Sequence, residues 1–169
     1  MSLLLLKVLL LVLVAIAAYT DWKWRIIPNR LNLLMFCTGV AGGVLAHRLL
    51  ESVCGAALGL ALGLLPALIL RVPVLAGIGG GDLKMMAALG AWYGPYDLLW
   101  VLAAGSVLAV AGGLANLARS GKLLLWVYLF PVRGRERFDE EVLPFGVYLA
   151  AGVYLVEAAK ILLAGGLVK

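Results

Sequence analysis

Charge is scarce in this chain: Asp, Glu, Lys and Arg make up 14% of 169 residues, against 64% apolar, and the mean hydropathy is +1.08. That balance excludes an ordinary soluble domain, which carries about twice the charge. Histidine is rarer still, with His47 alone, and cysteine is limited to Cys37 and Cys54, which form no CxxC. A zinc set needs about four ligands at suitable spacing, so no metal and no cofactor is expected. The two cysteines read as small apolar packing residues. Ser2, Ser52, Ser106 and Ser120 are expected to lack a histidine partner, and His47 reads as a loop residue, so serine–histidine chemistry has no candidate. The formal charge of +5 lies between apolar runs rather than along one face, which argues against nucleic acid and for membrane orientation.

What the chain has in abundance is apolar length. Six apolar segments can be drawn, at 3–20, 31–46, 53–70, 83–93, 97–118 and 142–163. A bilayer-spanning helix needs about 20 apolar residues, and most of these segments approach that. The expected fold is therefore an all-α polytopic membrane protein, one integral-membrane domain over 1–169 with about six transmembrane helices. The fourth segment is short or kinked: at ~1.5 Å per residue it reaches only about 16 Å before Gly94-Pro95 interrupts it. Gly55, Gly59 and Gly63 recur every fourth residue and predict a close helix contact, as do Ala41-Gly42-Gly43 and Gly112-Gly113. Between the last two segments, Leu123–Pro131 reads as an interfacial stretch and Arg133–Glu141 as a solvated charged loop.

Orientation follows from the basic residues. With the amino terminus outside, Lys23, Arg25, Arg30, Arg71, Lys84, Arg119, Lys122, Arg133, Arg135 and Arg137 fall inside, and only Lys7, Arg48, Lys160 and Lys169 outside. The first run has Lys7 within its apolar core and no positive charge before it, so it reads as a retained helix rather than a cleaved signal.

Two of the four aspartates, Asp21 and Asp82, flank apolar segments on that inner side. A carboxylate at a membrane edge is costly and asks for a function. Asp21 ends the first helix, where the macrodipole disfavours negative charge, with Lys23 and Arg25 as the bland compensation. Asp82 follows Gly79-Gly80-Gly81, glycines that let another chain come close, although a plain N-cap is the simpler reading. Two acids that share a proton can activate water against an amide bond. A carboxylate-based, ion-coupled transporter with broken helices is the alternative from another class, and an assembly subunit using its acids only to orient helices is a third.

Three stretches carry a resemblance. Asp21-Trp22-Lys23-Trp24-Arg25-Ile26-Ile27-Pro28-Asn29 resembles the first motif of the type IV prepilin peptidase family. Gly79-Gly80-Gly81-Asp82-Leu83-Lys84 resembles its Gly-x-Gly-Asp motif, and Pro144-Phe145-Gly146 a proline–aromatic–small motif opening its last helix. The resemblance covers nearly the whole chain. It implies a membrane aspartic endopeptidase with Asp21 and Asp82 as the catalytic pair, supported by Gly79, Gly81, Lys84, Pro28 and Asn29. It further implies prepilin or pilin-like substrates, cut at a short basic leader on the cytoplasmic face of the inner membrane, with lipid as the surrounding partner. The larger family members carry an amino-terminal domain with paired CxxC ligands that is not found here, so the likeness is to compact, Flp/Tad-type peptidases, and methylation of the product is not implied.

Overall fold

A computed structural model describes residues 3–70, 79–121 and 144–166. Among these the chain is helical throughout: α1 Leu3–Trp24, α2 Asn29–Leu45, α3 Leu49–Leu70, α4 Gly80–Arg119 and α5 Phe145–Gly166. The two stretches read from sequence as an interfacial segment and a charged loop lie outside the described residues, as does Arg71.

Helices form here because apolar backbone away from water must satisfy its own N–H and C=O groups. The one break is informative. Gly94 has φ 70° and ψ 179°, inside α4, and Pro95 follows it. Proline has no N–H, so the carbonyl four residues back, Ala91, loses its helical donor. Ser52 Oγ donates to that carbonyl at 2.6 Å, a repair made from the neighbouring helix. Glycine is the residue that adopts such a positive φ without cost.

Gly94 is more than a kink. Residues 80–93 run alongside α5 in the same sense, since Ile27 touches both Gly81 and Gly146 at one end while Tyr93 meets Glu157 at the other. Residues 95–119 run against α5, with Lys160 on Asp97, Gly152 on Val101 and Gly105 on Leu149. The two arms of α4 therefore have opposite directions, and the chain reverses at Gly94. The short fourth segment and the fifth are these two arms. Among the described residues three helices are long and apolar enough to cross a bilayer, Leu3–Trp24, Gly80–Arg119 and Phe145–Ala164, with Leu49–Leu65 a shorter apolar stretch, and the expected count of about six spans is not confirmed. Segments four and five are joined in one helix, and α2 has only 17 residues and carries Asn29, Arg30, Asn32 and Thr38.

The glycine stripe on α3 packs as its spacing implies. A Cβ at Gly55 would collide with the Gly90 carbonyl and one at Gly59 with the Met86 carbonyl, so α3 and the first arm touch backbone to backbone. Gly42 likewise abuts Trp92, Gly43 abuts Ser52, and Gly112 receives the Tyr148 hydroxyl. Cys37 and Cys54, by contrast, are exposed rather than packed. The inward face of α2 is taken by Leu31, Asn32, Met35, Thr38, Gly39 and Gly42, which leaves Cys37 pointing away.

The surface is apolar, and the largely apolar interior also holds polar side chains. Leu4, Leu50, Leu68 and Trp100 are at least two-thirds exposed, whereas Asp21, Asn32, Thr38, Ser52 and Glu157 are buried. Such an exterior suits lipid, and the protein is a membrane protein. Lys7, Arg48 and Lys160, assigned to one side from sequence, surround a single cavity of about 150 Å³. There Lys7 pairs with buried Glu157, whose Oε1 accepts a hydrogen bond from Tyr93 at 2.9 Å. His47, in the link between α2 and α3, neighbours this same region.

The α3 contact predicts a graded response to added methyl groups. Gly59→Ala, which must displace backbone, is expected to cost about 1–3 kcal/mol through overpacking. Gly63→Ala meets only the flexible ends of Leu83 and Met86 and is expected to cost less. Thermal unfolding in detergent checks the order.

Candidate active site

Asp21 sits on the inward face of α1. That face is a continuous stripe of Leu6, Leu10, Leu13, Val14, Ala17 and Thr20, and Asp21 closes it. The residue is 6% exposed. Arg25, with φ 55°, ends the helix in the left-handed conformation and returns its N–H to the Asp21 carbonyl at 2.9 Å. The chain then turns through Ile27 and Pro28, the N-cap of α2, whose carbonyl accepts from the Leu31 and Asn32 amides.

Asp82 arrives from α4. The N-cap of that helix is Gly79, so Asp82 is not the plain N-cap that a bare reading allows; it lies in the first turn, half-buried. Negative charge is favoured there by the helix dipole. A Cβ at Gly79 would stand 3.0 Å from Asp82 Oδ2, and one at Gly81 3.1 Å from Ile27 Cβ. Both glycines thus make room, the first for the carboxylate and the second for the turn that follows Asp21.

The two stretches are tied together by side chains. Lys84 Nζ donates to Asn29 Oδ1 at 2.7 Å, joining the glycine motif to the Pro28-Asn29 turn. Asn32 Nδ2 donates to the Gly81 carbonyl at 3.0 Å. The outcome is that Asp21 and Asp82 are electrostatic neighbours. Gly79, Gly81, Lys84, Pro28 and Asn29 all lie within this assembly, whereas His47 and both cysteines are elsewhere.

One contributor, Asn32, is absent from the sequence reading, and Ile27 and the first turn of α5 entered it only inside motifs, without a role at the site. Asn32 is 3% exposed, and a polar side chain in an apolar run was a legible signal. Ile27 fills the space between Gly81 and Gly146. The first turn of α5 brings the Gly146 and Val147 amides to the Asp21 carboxylate, which answers why an acid is tolerated at the carboxyl end of α1: a second helix offers its amino-terminal end to it.

Fold and site together define a helical membrane protein that gathers two carboxylates at one end of its bundle. The model of the type IV leader peptidase family matches residues 8–114, and the chain belongs to that family. A prepilin leader peptidase/N-methyltransferase of Burkholderia pseudomallei (strain 1026b) is 50% identical over 76 residues, covering 45% of this chain and 20% of that protein. One of the same description from Xanthomonas campestris pv. campestris is 30% identical over 139 residues, covering 80% of this chain and 43% of that protein. The chain spans less than half the length of these relatives. No solved structure matches it. The transporter alternative receives no support from these likenesses.

The Asn32 bond predicts a local effect. Asn32→Leu leaves the Gly81 carbonyl without that donor, at an expected cost of about 1–3 kcal/mol. Amide exchange should quicken over residues 80–84 and stay unchanged in α1, which hydrogen-exchange mass spectrometry reads directly.

Proposed function

We propose that this protein is an aspartic endopeptidase that removes the leader peptide from prepilin-like substrates, of the type IV or Flp class, at the cytoplasmic face of the inner membrane. The observation that carries the reading is that Asp21 and Asp82, far apart in the chain, are electrostatic neighbours at one end of a membrane bundle. Membership of the leader peptidase family and the names of its relatives support the substrate class. The cytoplasmic assignment is supported by the basic residues Lys23, Arg25 and Lys84 near the two acids.

Two neighbouring carboxyls cannot both ionise freely, so the pair holds one proton between them. The ionised member takes a proton from water, whose oxygen attacks the scissile carbonyl. The protonated member gives its proton to the carbonyl oxygen, forming a tetrahedral diol. Collapse of the diol breaks the C–N bond: the proton first taken from water passes to the leaving nitrogen, and one diol hydroxyl returns a proton to the other carboxylate as the new carboxyl group forms. Gly79, Gly81 and the Asn29–Lys84 bond hold the Asp82 turn against the Asp21 turn.

Asp21→Asn and Asp82→Asn are each expected to abolish cleavage of a co-expressed prepilin while the protein still inserts in the membrane. Members of such a unit lose nearly as much singly as together. Gel-shift processing assays check this, and robust cleavage by either variant removes that residue from the pair.

Gly81→Val should inactivate the enzyme per inserted molecule, because its side chain meets Ile27 beside both acids. Gly59→Val should instead lower the amount of folded protein, with specific activity closer to wild type. Equal specific activity for Gly81→Val and wild type would reduce the glycine run to a helix lead-in.

A further inference from the structure

The first turn of α5 belongs to neither aspartate motif and lies beyond the residues that the family model matches. Its approach to Asp21 is nonetheless as close as backbone allows. A Cβ at Gly146 would lie 2.9 Å from Asp21 Oδ2 and 2.8 Å from Ile27 Cδ1, closer than real side chains come. The Gly146 and Val147 amides face the carboxylate, and the Val147 N–H also donates to the Pro144 carbonyl at 3.1 Å. Asp21 itself is 6% exposed, and its Oδ2 is buried with no hydrogen-bond partner among the described residues. A buried carboxylate oxygen without a donor is costly unless charge is stabilised from close by. The Gly146 and Val147 amides at the start of the helix face that charge, and the helix dipole has the right sign. Among the described residues, the charged groups coupled to Asp21 are Arg25 from its own helix and Asp82 from α4, and α5 brings the Gly146 and Val147 amides.

We propose that Gly146 is a positioning residue of the active site: having no side chain, it lets the amino-terminal end of α5 close on Asp21, orient its carboxylate and present N–H donors to the negative charge. Asp21 is then the member of the pair that carries the charge and takes the proton from water, and Asp82 is the member that holds the proton. This rests on the reading of Asp21 as catalytic. The competing account is that Gly146 is small only to accommodate Ile27.

The test uses the full chain in proteoliposomes and a peptide with a short basic leader ahead of an apolar helix, with rates taken per folded molecule. Gly146→Ala is expected to lower kcat about a hundredfold, the scale of a misplacement of about 1 Å, with KM unchanged. Ile27→Val removes the Cδ1 atom that the new methyl would strike, so the double variant relieves packing but not the collision with Asp21. Continued loss in the double variant supports the proposal, and restored wild-type kcat overturns it. Glycolic acid placed at 146 by cell-free synthesis replaces the N–H with oxygen and adds no atom, which avoids any failure to fold. A kcat lowered by about tenfold or more is expected from a lost charge-stabilising donor, and a wild-type kcat refutes the role. Asp21→Asn is measured alongside: if it cleaves normally, the catalytic reading of Asp21 has failed, whereas an inactive Asp21→Asn beside an unimpaired Gly146→Ala sinks the positioning role alone.

Discussion

The backbone of α3 rests directly on the first arm of α4, at Gly55 against Gly90 and at Gly59 against Met86. Everything else depends on that contact. In lipid there is little hydrophobic gain from bringing helices together, so close packing and hydrogen bonds have to hold them. The contact fixes how far the first arm slides along α3, and with it the level at which Asp82 enters. Ser52, one turn before Gly55, adds the bond to the carbonyl that Pro95 leaves open. The reversal at Gly94 and the height of the glycine motif are therefore set by the same helix pair.

The two ends of the bundle solve the problem of buried charge in different ways. At the far end, Glu157 is held by Lys7 and Tyr93, and Asp97 by Lys160, so opposite charges cancel beside a cavity. Such pairs are costly to desolvate and costly to break. At the near end, two acids meet, Arg25 lowers the cost for Asp21, and backbone amides of α5 take up part of the charge. An arrangement of like charges is a poor way to hold helices together. It is a suitable way to keep one proton on a pair and to set one acid against the other for hydrolysis.

Ile27 connects these requirements. It is 5% exposed and stands between Gly81 and Gly146, so a single side chain spaces the α1–α2 turn from the starts of both α4 and α5. The two glycines are the complement of that side chain. Their smallness lets three chain segments meet around two carboxylates while the exterior remains apolar.

From sequence alone came the membrane setting, the helical class, the break at Gly94-Pro95, the α3 packing stripe and the two acids with their motif glycines. These are written in composition, run length and local chemistry, which need no partner to be read. That segments four and five belong to one interrupted element was not legible, because length cannot tell two helices from two arms of one. Nor was the inward face of α1, since that helix is apolar all round and only its neighbours select Leu6, Leu10, Ala17 and Asp21 as buried. The same limit explains why Cys37 and Cys54 read as packed and are exposed. The meeting of Asp21 with Asp82, the bond from Asn32 to Gly81 and the turn of α5 onto Asp21 are long-range contacts, decided only when the helices settle against one another.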